Sequence, residues 1–217
     1  MKRHLVNIIM ALTLLGCSIE PQHKTPPKNT SVEQRYVQAY RYAYMALQEN
    51  NWPVYKKLMR SAVDLSTAAD APPEQRAVFW YEYARALGVA CEWADAEFAF
   101  NVARHLDDKT GGPVHQSLNE LGRMHVANQH YEKAVVSFTE AEQAFKQLSA
   151  QRTDTHQNSA QYQPIRAQVL EDFAYALEQV GERAGDVKKL RDAAAINTGD
   201  AADHPDITPY GLACRSR

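Results

Sequence analysis

Residues 118–141, LNELGRMHVANQHYEKAVVSFTEA, decide how this chain folds. Leu118, Leu121, Gly122 and His125 recur at helical spacing and share one face; after a short break Tyr131, Ala134, Phe138 and Ala141 share the face of a second helix. Two helices pack closely only where small residues meet. Gly122 and Ala134 supply that closeness, while Leu118, Leu121 and Phe138 fill the volume around the contact. The stretch therefore predicts a helical hairpin. Elsewhere the period of two expected of strands is almost absent, and glycine is sparse between Ser31 and Leu106, so the chain reads as all-α.

The same spacing recurs upstream as Trp80, Tyr83, Ala84 and Leu87, then Trp93, Ala96, Phe100 and Ala103. A weaker copy precedes it, with Ala39, Tyr42, Ala43 and Ala46, then Trp52, Tyr55, Met59 and Ala62; Pro53 suits the first turn of its second helix. A fourth reads Leu170, Phe173, Ala174 and Leu177, then Leu190 and Ala193, with Asp186 standing where the pattern wants alanine. This pattern resembles the tetratricopeptide repeat (TPR), W-x₂-L-G-x₂-Y followed by A-x₃-F and a further alanine. The resemblance covers about residues 36–196 and implies roughly four antiparallel helix pairs stacked into a short right-handed superhelix, with atypical terminal pairs acting as caps. The small residues Ala43, Ala84, Gly122 and Ala174 lie 41, 38 and 52 residues apart, longer than the regular 34-residue repeat. Residues 107–113, DDKTGGP, read as a loop, and composition favours disorder over residues 149–163.

At the N-terminus Lys2 and Arg3 precede an apolar run from Leu5 to Leu15, the length of a signal-peptide core and too short to span a bilayer. Leu14-Leu15-Gly16-Cys17 resembles the bacterial lipobox. That resemblance implies a lipoprotein signal peptide over 1–16, cleavage after Gly16 and acylation, palmitate included, of Cys17. Several acyl chains on one residue make a lasting anchor, because each buried CH₂ adds about 0.8 kcal/mol. Ser18-Ile19-Glu20, with no aspartate directly after the cysteine, implies sorting to the outer membrane, facing the periplasm. Residues 18–31 are polar with Pro21, Pro26 and Pro27, so 17–31 reads as a lipidated cysteine and flexible tether reaching up to roughly 40 Å at about 3.1 Å per residue. A helical domain over 32–196 and an irregular tail over 197–217 follow.

Removing residues 1–16 takes two cations and no acids from the 24 Lys+Arg and 26 Asp+Glu, so the mature chain carries a formal charge of −4. That balance suits neither nucleic acid nor a polybasic membrane patch. His105, His115, His125 and His130 crowd around the third copy, but none falls in a metal-ligand spacing, and His125 sits on the inward face. There is no glycine-rich phosphate loop, nucleophile elbow or paired-cysteine motif, and Glu171 and Asp172, adjacent in sequence, point to different sides of a helix. No catalytic residue, metal site or cofactor is expected.

In the resembling family the first helix of each pair lines the inner surface of the curve, where partner peptides or helices lie. Beside each packing face runs a second stripe, formed by Tyr40 and Tyr44, Tyr81 and Arg85, Asn119 and Arg123, and Glu171 and Tyr175. Tyrosine and arginine dominate interface energetics. The expectation is one continuous track, with Arg85 and Arg123 side by side on an open surface at its centre, suited to an acidic or C-terminal segment; alternatively the tyrosines complete the core between repeats. The function expected is an outer-membrane lipoprotein whose array is a protein-binding adaptor or assembly factor for an envelope complex, in the manner of pilotins or adaptors of cell-wall enzymes. A self-associating structural module and, more remotely, a metal-dependent enzyme are the competing classes. Once Cys17 carries lipid, Cys91 and Cys214 are the remaining cysteines; an oxidising compartment favours joining them, but sequence does not set their separation, so a disulfide and two free thiols both stand.

Overall fold

The computed structural model describes residues 31–151, 163–181, 184–196 and 207–214. The lipobox, Cys17 and the tether lie outside these residues, as does 152–162 of the predicted loop; residues 149–151 continue a helix instead. The described residues form eight helices and no strand: α1 Val32–Gln48, α2 Trp52–Ala68, α3 Pro73–Val89, α4 Trp93–Thr110, α5 Val114–Ala127, α6 Tyr131–Gln151, α7 Gln163–Gln179 and α8 Ala184–Ile196. They pack as successive pairs, α1 with α2, α3 with α4, α5 with α6 and α7 with α8.

Local chemistry sets the boundaries. Ser31 and Gln34 close a reciprocal capping box on α1, the Gln34 amide donating to Ser31 Oγ at 3.1 Å and the Ser31 amide to Gln34 Oε1 at 3.0 Å. Asn51 caps α2 by accepting from the Val54 amide, with Pro53 in the first turn. Each first helix that leads into its partner stops through a left-handed residue seven positions after the small residue: Asn50 (φ 54°), Cys91 (φ 64°), Gln129 (φ 61°) and Gly181 (φ 75°). In the first three pairs the next amide reaches back five residues to satisfy an end carbonyl, Asn51 to Ala46, Glu92 to Leu87 and His130 to His125, at 2.8–3.0 Å.

The small residues do what their spacing predicts. Ala43, Ala84 and Ala174 are fully buried, and a Cβ on Gly122 would lie 2.6 Å from the Phe138 ring. Three apolar clusters follow one another along the array. Tyr55, Met59 and Phe79 lie in the first, Leu87, Phe100, Leu121 and Met124 in the second, and Ala134, Phe138, Val169 and Ala176 in the third. First helices of neighbouring pairs approach one another, α3 to α5 and α5 to α7, whereas their second helices touch at most marginally, so the first helices form the inner side.

Candidate functional site

The inner side carries a ladder of acids and arginines in repeat register. Glu82, Glu120 and Asp172 are separated by the same 38 and 52 residues as Ala84, Gly122 and Ala174, and Arg85 and Arg123 each follow an acid by three, one helical turn. Arg85 Nη1 meets Glu82 Oε2 at 2.8 Å; Arg123 meets Glu120 Oε1 at 2.9 Å through Nη1 and Asp172 Oδ2 at 3.0 Å through Nε. The Tyr55 hydroxyl donates to Glu82, and Gln168 Nε2 donates to the second oxygen of Asp172 at 2.9 Å. Arg85, Glu120 and Arg123 are each buried to 95% or more.

Burial raises the Glu120 pKa, but the charges of Arg123 and Arg85 and hydrogen bonds from Tyr210 and Arg123 outweigh it and hold the carboxyl below its ordinary value. For Asp172, nearer one end of the ladder, burial outweighs Arg123 and the value is raised. Burial lowers the Arg123 value, yet Glu120 and Asp172 prevail and raise it, so the guanidinium stays charged.

Across this ladder lies a strap, residues 207–214 of the tail. Arg85 Nε donates to Thr208 Oγ1 at 2.7 Å, Arg123 Nη2 to the Thr208 carbonyl at 3.3 Å, and the Tyr210 hydroxyl donates to Glu120 Oε2. The Tyr210 ring lies against Gly88, where a Cβ would come within 2.5 Å of it, and under the Arg123 guanidinium, 5.7 Å from the ring centre. Backbone bonds continue the seat, from the Gly211 amide to the Gly88 carbonyl at 3.3 Å and from the Ala213 amide to the Val89 carbonyl at 3.2 Å. Cys214 is disulfide-bonded to Cys91, their Cα atoms 6.1 Å apart. The left-handed turn after α3 that carries Cys91 thus also carries the strap's covalent attachment.

The expectation of an open arginine pair is corrected here. Arg85 and Arg123 do occupy neighbouring inner helices, but intrachain acids neutralise them and the strap covers them. The continuous track is broken at both ends as well. Glu171 turns toward Arg191 of α8, at 3.7 Å, and its neighbour Asp172 takes the inner position. Tyr40 packs against Phe79, ring centres 5.3 Å apart, and so belongs to the core between the first two pairs. Tyr44 is half-exposed, and Tyr175 is exposed with its ring edge-on to Tyr131.

Tyr81 and Asn119 line a cavity of about 270 Å³ beside the strap, between α3, α5, α6 and α7. Its floor shares Arg85 and Glu120 with the strap, and its far wall carries His115, Phe145 and Arg166. Burial, assisted by the Arg166 charge, lowers the His115 pKa to about 4, so the ring is neutral; its buried Nδ1 has no hydrogen-bond partner among the described residues. Arg166 lies over the Phe145 ring at 5.1 Å. Sequence reasoning missed Glu82, Glu120, Asp172, Thr208 and Tyr210. The i, i+3 acid–arginine pairs repeated 38 residues apart were the available signal for the first two.

No protein-family model and no curated protein matches the chain. Among solved structures it is similar to a crystal structure from Podosopora anserina described as a candidate kinesin light chain with nearly identical TPR-like repeats, with a TM-score of 0.54 and 19% identity over 78% of each chain. The fold is a TPR-like repeat array. Among the described residues of this array no three His, Cys, Asp or Glu side chains are grouped to hold a metal ion, and no helix is long and apolar enough to cross a membrane.

Proposed function

We propose that this protein is a lipid-anchored adaptor of the outer membrane, facing the periplasm, whose TPR-like array receives a segment of an envelope protein on its inner side. The observation that carries the reading is the strap. The inner side already binds a short, turn-forming piece of protein through backbone carbonyls, buried arginines and a buried carboxylate, while the adjoining cavity remains open. Leu14-Leu15-Gly16-Cys17 and the proline-bearing segment after it support the anchor and tether. On the inner side the perturbed acids Glu120 and Asp172 are tied into ion pairs with Arg123, which suits a binding surface.

Crosslinking in cells followed by mass spectrometry tests the reading, comparing the natural chain with Asn119→Arg, which fills the half-buried cavity wall. A partner captured by the natural chain and lost with the variant, at equal thermal stability, supports inner-side binding. Equal capture refutes it, and crosslinks found solely between copies of this chain favour self-association.

A further inference from the structure

The strap shows what chemistry the centre of the inner side recognises. Glu120 is a buried, ionised acceptor that needs a donor, and a phenol reaches it from a slot that exists because Gly88 has no Cβ. Two residues earlier along the bound segment, Arg85 and Arg123, besides pairing with their acids, donate to the Thr208 hydroxyl and carbonyl. A phosphate on the ring would face the Glu120 carboxylate and be repelled.

We propose that Arg85, Glu120 and Arg123 form a subsite for an unmodified tyrosine at the start of a turn in a protein segment, that Tyr210 is its resident occupant, and that the Cys91–Cys214 disulfide latches it there. The inference rests on the adaptor reading and adds to it the partner's chemistry and a gate. In the oxidised chain the subsite is closed, and a partner reaches the neighbouring cavity alone. Cys214 is exposed and Cys91 half-buried, so a dithiol reductant can reach the bond. One thiolate of the dithiol attacks a cysteine sulfur and its second sulfur completes the exchange. The Cys91–Cys214 bond breaks, the dithiol is oxidised to a cyclic disulfide, and the two cysteines take up its two protons as thiols. The strap then competes only as a segment tethered by ordinary chain, at an effective concentration on the order of millimolar, which an incoming tyrosine segment can overcome.

The test uses the full chain carrying Cys17→Ser, which keeps Cys91 and Cys214 as its only thiols. Amide hydrogen exchange at Gly211 and Ala213, whose N–H groups bond to Gly88 and Val89, is compared before and after treatment with dithiothreitol, with Ala84 in α3 as the internal reference. Reduction is expected to speed exchange in the strap at least tenfold and leave Ala84 protected. A synthetic peptide of residues 206–213, DITPYGLA, is expected to bind the reduced chain and not the oxidised one. Its phenylalanine and phosphotyrosine versions should bind at least tenfold more weakly. Unchanged strap exchange overturns the latch, equal binding to both redox forms overturns the closed subsite, and equal affinity for the phenylalanine peptide overturns tyrosine recognition. Loss of helicity on reduction would make the strap a brace of the fold and overturn the gate. Tyr210→Phe, kept oxidised, gives a reading free of that collapse, since the proposal requires faster exchange at Gly211 with the disulfide intact. None of these failures touches the Asn119→Arg result, which reports on the cavity the strap leaves open.

Discussion

Replacing Arg123 by methionine should destabilise the fold by about 3–5 kcal/mol, because it strips one partner from a buried charge network. Arg123 and Glu120 have side chains 5% exposed, and the substitution removes contacts of 2.9 Å to Glu120 and 3.0 Å to Asp172, the donor to the Thr208 carbonyl and the cation over Tyr210. Methionine fills similar volume, so the cost measures two carboxylates left without their cation. For an array of this length that is a fall in Tm of roughly 6–20 °C. The pH dependence carries the mechanism. In the natural protein Glu120 is held below its ordinary value, so its contribution is present above the unfolded carboxylate range and is lost as pH falls through the folded value. Without Arg123 burial dominates, the folded value rises, and the contribution is lost as pH rises. The stability gap should therefore be widest near neutrality and narrow toward about pH 4. Urea melts followed by circular dichroism at both pH values give the gap directly. A cost under about 1 kcal/mol at neutral pH, or a gap that widens in acid, would refute the buried-network account.

Gly122→Ala should cost about 1–3 kcal/mol in urea melts, since its Cβ would lie within 2.7 Å of three Phe138 ring atoms, and adding Phe138→Leu should recover part of the loss. Gln129→Gly should raise stability by up to about 1 kcal/mol, because Gln129 holds φ 61° where glycine has no Cβ penalty; Gly181→Ala, at φ 75°, should lower it by a similar amount in the same assay. Cys17→Ser should abolish acylation and cleavage after Gly16, read by intact mass and membrane fractionation; an unchanged mature mass would refute the lipobox reading.

The pairs of helices were legible because packing imposes a local rule: Ala43, Ala84, Gly122 and Ala174 must be small wherever two helices touch, and each is buried in the array. Pro53 in the first turn of α2 was legible too, being short-range chemistry. Cys91 and Gln129 were not, since neither residue type advertises a left-handed backbone. The inner stripe was half legible. Spacing placed Arg85 and Arg123 on it, but exposure depends on what comes to lie over them, and the strap carries no periodicity that would announce its seat. The i, i+4 spacing from Tyr175 points to Glu171 as the inner residue, whereas the ladder selects Asp172, the position that reaches Arg123 of the neighbouring pair.

The central claim is that the inner side of the array, and not its outer side, receives partner protein. A photo-crosslinking residue placed at Asn119, in the open cavity between α3 and α7, and separately at Phe98, 63% exposed on the second helix α4, tests this most directly. The account predicts a discrete crosslinked product with another envelope protein from position 119 and none from position 98. A product from position 98 alone would contradict it.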